Sequence, residues 1–254
     1  MTFTSPTSAQ ISALRLLWKE AFGDTDEFLD LFFDVAFSPD RALCAMEGEA
    51  LAAMLYWFDC TLESKRVAYV YAVATARNFR GRGVGSALMR ELHGRLQKSG
   101  YAGAILVPSE ASLFDFYARF GYTHITELAE CEAKAEPTEL SLREIDAVEY
   151  AERRRALLPR NAIVQEGVCS EFLAAQASFY ASDDCILAAH REGKRLICKE
   201  ILYADDVCPP MGEIVSALGC KSGRFRTSGC GMRFAAYCDL GEKILPRYFA
   251  FAFD

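Results

Sequence analysis

The stretch that most constrains this chain runs from Tyr69 to Gly100, YVYAVATARNFRGRGVGSALMRELHGRLQKSG. It reads as a strand that breaks into a glycine-rich turn and re-forms as a helix. Val70, Tyr71, Val73 and Thr75 are β-branched or aromatic and suit a pleated, half-buried strand. Val84, Leu88, Leu92 and Leu96 recur every four residues, lining one face of a helix that Gly100 closes at a C-cap position. Between them lies Arg80-Gly81-Arg82-Gly83-Val84-Gly85. Its glycines let successive amide groups point into one concavity, and the following helix adds unsatisfied N–H donors and the positive end of its dipole. With two arginines beside them, these donors suit a diphosphate; a glycine-rich surface turn with two solvated arginines is the plainer alternative. The Walker phosphate pattern fails for want of a lysine in Val84-Gly85-Ser86, and the dinucleotide fingerprint fails because position 86 is serine.

The pattern that does fit is R-x-x-G-x-G after a strand. Through Arg80, Gly83 and Gly85 the sequence resembles the GCN5-related N-acetyltransferase (GNAT) superfamily. A second block strengthens the resemblance: a short strand over Ala102–Val107, then Pro108-Ser109-Glu110, then a helix through Leu113, Phe116, Tyr117 and Phe120 closed by Gly121-Tyr122. Phe116 to Tyr122 is similar to that family's F-Y-x-x-x-G-F/Y run. The Ser-Glu before a Tyr-x-Arg-Phe-Gly-Tyr run also resembles the tandem-GNAT "enhanced intracellular survival" aminoglycoside acetyltransferases, although no counterpart of that family's sterol-carrier-like third domain is expected within these residues. The resemblance is specific over Val67 to Tyr122 and weak elsewhere.

The resemblance implies an α/β (α+β) fold with a mixed, splayed central sheet, and acetyl-CoA as cosubstrate. It places the diphosphate on Arg80, Gly81, Arg82, Gly83, Val84 and Gly85, the pantetheine arm beside the backbone of Val73, Ala74 and Thr75, and Ser109 facing the same cleft. For Ser109 a helix cap is an equal account. The implied reaction is direct transfer of the acetyl group from the thioester to a primary amine, with Tyr117 as proton donor to the departing thiolate. Alone, Tyr117 reads as a packing residue on the face of Leu113 and Phe120. Two other classes stay open: a non-catalytic acetyl-CoA-binding module, and a tandem-GNAT aminoacyl or peptidyl transferase.

Composition narrows the partners. With 254 residues, 52% of them hydrophobic, the chain is long enough for one large or two modest domains. A formal net charge of −7 argues against general nucleic-acid binding and mildly favours cationic acceptors. No stretch has the length to cross a bilayer and the start lacks a secretory pattern, so a cytoplasmic location and no membrane partner are expected. Ten cysteines without a C-x-x-C pair, beside three histidines, read as reduced and mostly buried, with no metal expected.

Along the chain, helices are expected after Ser8 and after Asp24 or Thr25, then a hairpin over 41–46 and 50–62, and a third strand from Lys65. A strand over 122–133 is expected to end the first unit. The segment Glu132–Thr138 is the linker candidate, dividing a GNAT domain at 1–136 from a degenerate GNAT-like α/β domain at 137–254. In the second half, helices are expected over 142–158, 168–180 and 211–218, and strands over 185–190, 195–203, 224–227, 232–238 and 248–253. This order echoes the first half. The echo fails at Ala204-Asp205-Asp206-Val207-Cys208-Pro209-Pro210, where prolines remove donors and aspartates repel phosphate, so this half is not expected to bind coenzyme A. Covering the first domain, shaping the acceptor pocket and making a subunit contact of a homo-oligomer are the roles left to it.

No base stands out. Glu47, Glu49, Asp59 and Glu63 lie toward the expected substrate side, although surface solvation accounts for each. The terminal carboxylate of Asp254 is a further candidate by analogy. His93 reads as a surface residue of its helix, and His124 and His190 lie in strand-like runs.

Overall fold

The computed structural model of the chain describes residues 1–204 and 209–253. Its contacts group into two compact units that interleave in sequence: residues 1–124 with 236–245, and residues 125–235 with 246–254. The boundary is therefore not the single position at 136/137 that composition suggests. Glu132 to Lys134, the start of the linker candidate, are the last residues of a strand.

In the first unit, β1 (Thr2–Thr4), unexpected from its three-residue sequence, pairs antiparallel with β2 (Ala42–Glu47). β3 (Ala50–Leu62) follows across the expected turn, and β4 (Lys65–Thr75) completes the antiparallel meander. β5 (Gly103–Leu106) pairs parallel with β4, and the second half of β12 (Met232–Asp239) runs antiparallel beside β5. The helix α1 (Ile11–Phe22) ends at Gly23 in the left-handed region, and α2 (Asp26–Leu31) starts where the Thr25 hydroxyl accepts from the Phe28 amide. Both face the core. Trp18 of α1 packs 4.6 Å from the Phe32 ring and 5.4 Å from that of Tyr56, which accounts for these aromatics as core. The helix α3 (Val84–Lys98) buries Val84, Leu88, Leu92 and Leu96, as its four-residue spacing predicts, and α4 (Ala111–Ala118) carries the second block.

β4 and β5 pair at only three positions, Val67 with Gly103, Ala68 with Ala104 and Tyr69 with Ile105. Beyond them, among the described residues, β3 is the one strand that pairs with β4. A bulge lies in this free length: Tyr71 opposes Tyr56 and Ala74 opposes Met54, leaving an extra residue on β4 with Ala72 at φ 48°. The extra residue bends the strand where its parallel neighbour leaves, and this opens the sheet.

The second unit repeats this plan. β6 (His124–Lys134) pairs with β11 (Ser222–Ser228), which runs parallel to β10 (Arg195–Tyr203); β10 pairs antiparallel with β9 (Cys185–Glu192). β8 (Ser178–Ala181) and β7 (Arg143–Ile145) complete the sheet. Again the parallel pair stops early, at Cys198 with Phe225, and a register shift follows between Cys198 and Glu200.

Two expected helices are shorter than their patterns. Residues 143–145 form β7 before Asp146 caps α5 (Ala147–Leu157), and α6 (Val168–Ala174) stops so that Phe179 enters β8. The apolar spacing there serves strand and helix equally, and the pairing to β9 decides. The third helix, α7 (Met211–Ala217), stands as expected. Residues 248–253 are buried but form no strand; their one bridge joins Tyr248 to Ala162. Among the described residues no helix is long and apolar enough to cross a membrane, and the described cysteines are free thiols.

Candidate functional site

After Thr75 the chain makes a 3₁₀ turn over Arg77–Phe79, then the glycine loop, then α3. Gly81 and Gly83 sit at φ 73° and 76°, in the left-handed region that glycine enters without strain. Gly85 serves by closeness instead: a Cβ there would lie 3.0 Å from the Thr75 hydroxyl oxygen. The first helical bond runs from the Ala87 amide to the Gly83 carbonyl. Among the described residues, none of the amides from Gly81 through Ser86 donates to a protein acceptor. A run of unspent donors at the start of a fifteen-residue helix is a ready site for an anion.

The loop borders a pocket of about 250 Å³ with Thr75, Phe79, Arg80, Gly81, Gly83, Val84, Gly85, Ser86 and Phe116 as walls. Of the residues expected from sequence, the structure thus gathers Thr75, Arg80, Gly81, Gly83, Val84 and Gly85 around one space. Val73 and Ala74 lie just upstream on the length of β4 that has parted from β5. Arg82 turns outward, its guanidinium 2.9 Å from Glu47 Oε1 and stacked over the Phe79 ring at 5.0 Å. Ser109 is exposed between β5 and α4; it neither lines this pocket nor caps the helix, whose N-cap is Glu110. Sequence reasoning missed Phe79, Ser86 and Phe116 as walls, although Phe116 stands directly before Tyr117 in the motif already singled out.

Tyr117 is buried, with only 8% of its surface exposed, and burial pushes its phenol up to about 12. Among the described residues its hydroxyl makes no hydrogen bond, so the polar end of an otherwise packed ring is unspent. Its ring meets Phe116 at 5.1 Å and Tyr122 at 5.9 Å, both edge-on. Tyr122 is in turn held by His93, whose Nε2 lies 3.1 Å from the Tyr122 hydroxyl. His93 is therefore not the surface residue its helix position suggested. Burial lowers its pKa and raises that of Tyr122 well above the usual range.

Two of the acidic candidates are engaged. Asp59 contacts Arg41 at 3.3 Å, Arg66 at 3.4 Å and the Tyr101 hydroxyl, and Glu47 is the partner of Arg82. Glu49 and Glu63 lie exposed in the two hairpin turns. Asp254, and Asp205 to Cys208 of the second half's loop, fall outside the described residues.

In the second unit the corresponding point beyond the bulge holds a carboxylate. Glu200 is fully buried, and its oxygens accept from Arg154 at 2.6 and 3.0 Å, from Tyr150 at 2.8 Å and from Tyr248 at 3.0 Å. Burial opposes the Arg154 charge, but the attraction of Glu200 outweighs it and raises its pKa. This is a satisfied structural network.

No curated protein matches the sequence. Among solved structures similar in fold is a conserved protein of unknown function from Enterococcus faecalis V583, designated a probable N-acyltransferase. It is 14% identical, with a TM-score of 0.72 over 94% of this chain and 72% of that one. A GCN5-related N-acetyltransferase from Kribbella flavida is 16% identical, with a TM-score of 0.68 and coverage of 94% and 72%. Eis1 from Mycobacterium abscessus is 13% identical, with a TM-score of 0.68 and coverage of 95% and 74%. At such identities the likeness is one of fold. Residues 3–125 match the family model described as acetyltransferase (GNAT) domain, and the splayed sheet and the donor-rich loop lie inside that range.

Proposed function

We propose that the chain moves an acetyl group directly from acetyl-CoA to a primary amine, using the first unit alone. Acetyl-CoA is the cosubstrate of this acetyltransferase domain and supplies the activated thioester. The observation that carries the reading is the run of unspent amides from Gly81 to Ser86, set beside the length of β4 that has parted from β5. These donors, with Arg80, would hold the diphosphate, while Arg82 is held away by Glu47. The free edge at Val73, Ala74 and Thr75 would take the pantetheine amides much as an added strand.

The donor chemistry follows from burial. Held at about 12, the Tyr117 phenol is neutral across the physiological range and keeps its proton available to donate. Full proton transfer to a thiolate, whose conjugate thiol titrates near ~8.5, is uphill for such a phenol. Its contribution is therefore a hydrogen bond to the sulfur as the C–S bond breaks. The amine attacks as the free base, and its proton leaves to water. The free thiols of the described residues favour a reducing compartment, consistent with a cytoplasmic setting.

A thermal-shift series with acetyl-CoA and longer acyl-CoAs, followed by a thiol-release assay against polyamines, aminoglycosides and peptides, tests this. Stabilisation by acetyl-CoA and amine-dependent thiol release are expected. Binding without release to any amine would reduce the protein to a binding module.

A further inference from the structure

We propose that Glu20 is a positioning residue for coenzyme A: from helix α1 its carboxylate builds the diphosphate loop and fixes the aim of Arg80. The inference rests on reading residues 80–85 as that loop. The 3₁₀ turn over Arg77–Phe79 opens the loop, and the residue before it, Ala76, has no side chain able to cap it. The cap comes instead from far back in the chain. Glu20 Oε1 accepts from the Arg77 amide at 2.7 Å, satisfying a donor at the turn's first position. The same oxygen lies 3.8 Å from the Arg80 guanidinium, whose Nε donates to the Thr75 carbonyl at 2.9 Å. Arg80 is thus tethered at two points and its orientation is set before any ligand arrives, which reduces the ordering cost of binding.

The contrast with the other loop arginine is informative. Glu47 meets Arg82 through side chains only, at 2.9 and 3.3 Å, and caps no backbone donor. Glu47 is a counter-ion, whereas Glu20 is part of the loop's framework. The carboxylate of Glu20 has two opposed effects on a diphosphate. Its hydrogen bond to the Arg77 amide orders the loop, and its charge, with the side chain 36% exposed, repels the anion through partly screened space. Glutamine keeps the acceptor and drops the charge; alanine drops both.

Calorimetric titration of coenzyme A into wild type, Glu20→Gln and Glu20→Ala separates these effects, with the melting temperature of each free protein as control. The expected result is a Kd about tenfold weaker in Glu20→Ala, while Glu20→Gln binds as tightly as wild type or up to about threefold tighter. Should the alanine variant not fold, Glu20→Asp withdraws the carboxylate by one methylene and is expected to weaken binding severalfold. A Kd unchanged in Glu20→Ala or Glu20→Asp, or a glutamine variant as weak as alanine, overturns the role of Glu20. Wild type that binds no coenzyme A overturns the loop reading itself, whereas binding that is abolished by Gly83→Val but indifferent to Glu20 leaves that reading standing and removes only this one.

Discussion

Tyr69 and Ile105 are the last residues of β4 and β5 to face each other in register, and three residues beyond Tyr69 the backbone of Ala72 enters the left-handed region at φ 48°. The opening of the sheet is thus fixed by a bulge whose cost the surrounding pairs carry. A β-branched side chain tolerates this conformation worse than alanine. Ala72→Val is expected to lower unfolding stability by ~1–2 kcal/mol, and Ala72→Gly to change it little, as read from urea midpoints. Equal midpoints in all three proteins would mean that the strand bends for another reason.

Tyr117 makes no hydrogen bond among the described residues, so removing its oxygen leaves no protein partner bereft. Tyr117→Phe should fold with nearly unchanged stability and bind acetyl-CoA almost as well. Its kcat should fall by about a hundredfold or more, the usual range for loss of a positioned proton donor. Thiol release by the variant at the wild-type rate would remove Tyr117 from the mechanism.

Much of this was readable from the residues. The strand-loop-helix from Lys65 to Lys98 stands as its alternation and four-residue spacing predict, because a single unit codes both the bend and its apolar support. What sequence could not supply were partners brought from elsewhere. Glu20 reaches the Arg77 amide across 57 residues, and Tyr122 holds His93 from another element, pairings that no local pattern encodes. The same limit explains the second half. Arg143–Ile145 and Ser178–Ala181 carry helix-compatible spacing, yet pairing to neighbouring strands makes them β7 and β8. The interleaved unit boundary arises likewise from strand contacts, which composition does not register.

His93 gives a pH signature. Burial lowers its folded pKa below the ordinary value of 6.5, so between those two values the unfolded chain binds a proton that the folded chain does not. Stability contributed by this residue is full above pH 6.5 and is lost progressively as the pH falls toward the folded pKa. Urea midpoints from pH 8 to pH 5 should therefore decline more steeply in wild type than in His93→Gln, which keeps a partner for Tyr122 but does not titrate. Parallel declines would show that the histidine is not held neutral.

Glu200 and Arg154 test the second unit. Removing one member of a buried, fully bonded ion pair leaves the other charge stranded, at a cost of ~3–5 kcal/mol. Glu200→Ala should lose stability on that scale by chemical denaturation, since Tyr150 and Tyr248 lose an acceptor at the same time. A loss under ~1 kcal/mol would contradict a structural role for this network.

The most direct measurement is the stoichiometry of acetyl-CoA binding by calorimetry. One site per chain is expected, filled by the first unit through the amides of Gly81 to Ser86, and abolished in Gly83→Val because valine cannot hold the φ of 76° at the N-cap of α3. No heat of binding in wild type, two sites per chain, or full binding in Gly83→Val would contradict a single diphosphate loop as the centre of this protein's chemistry.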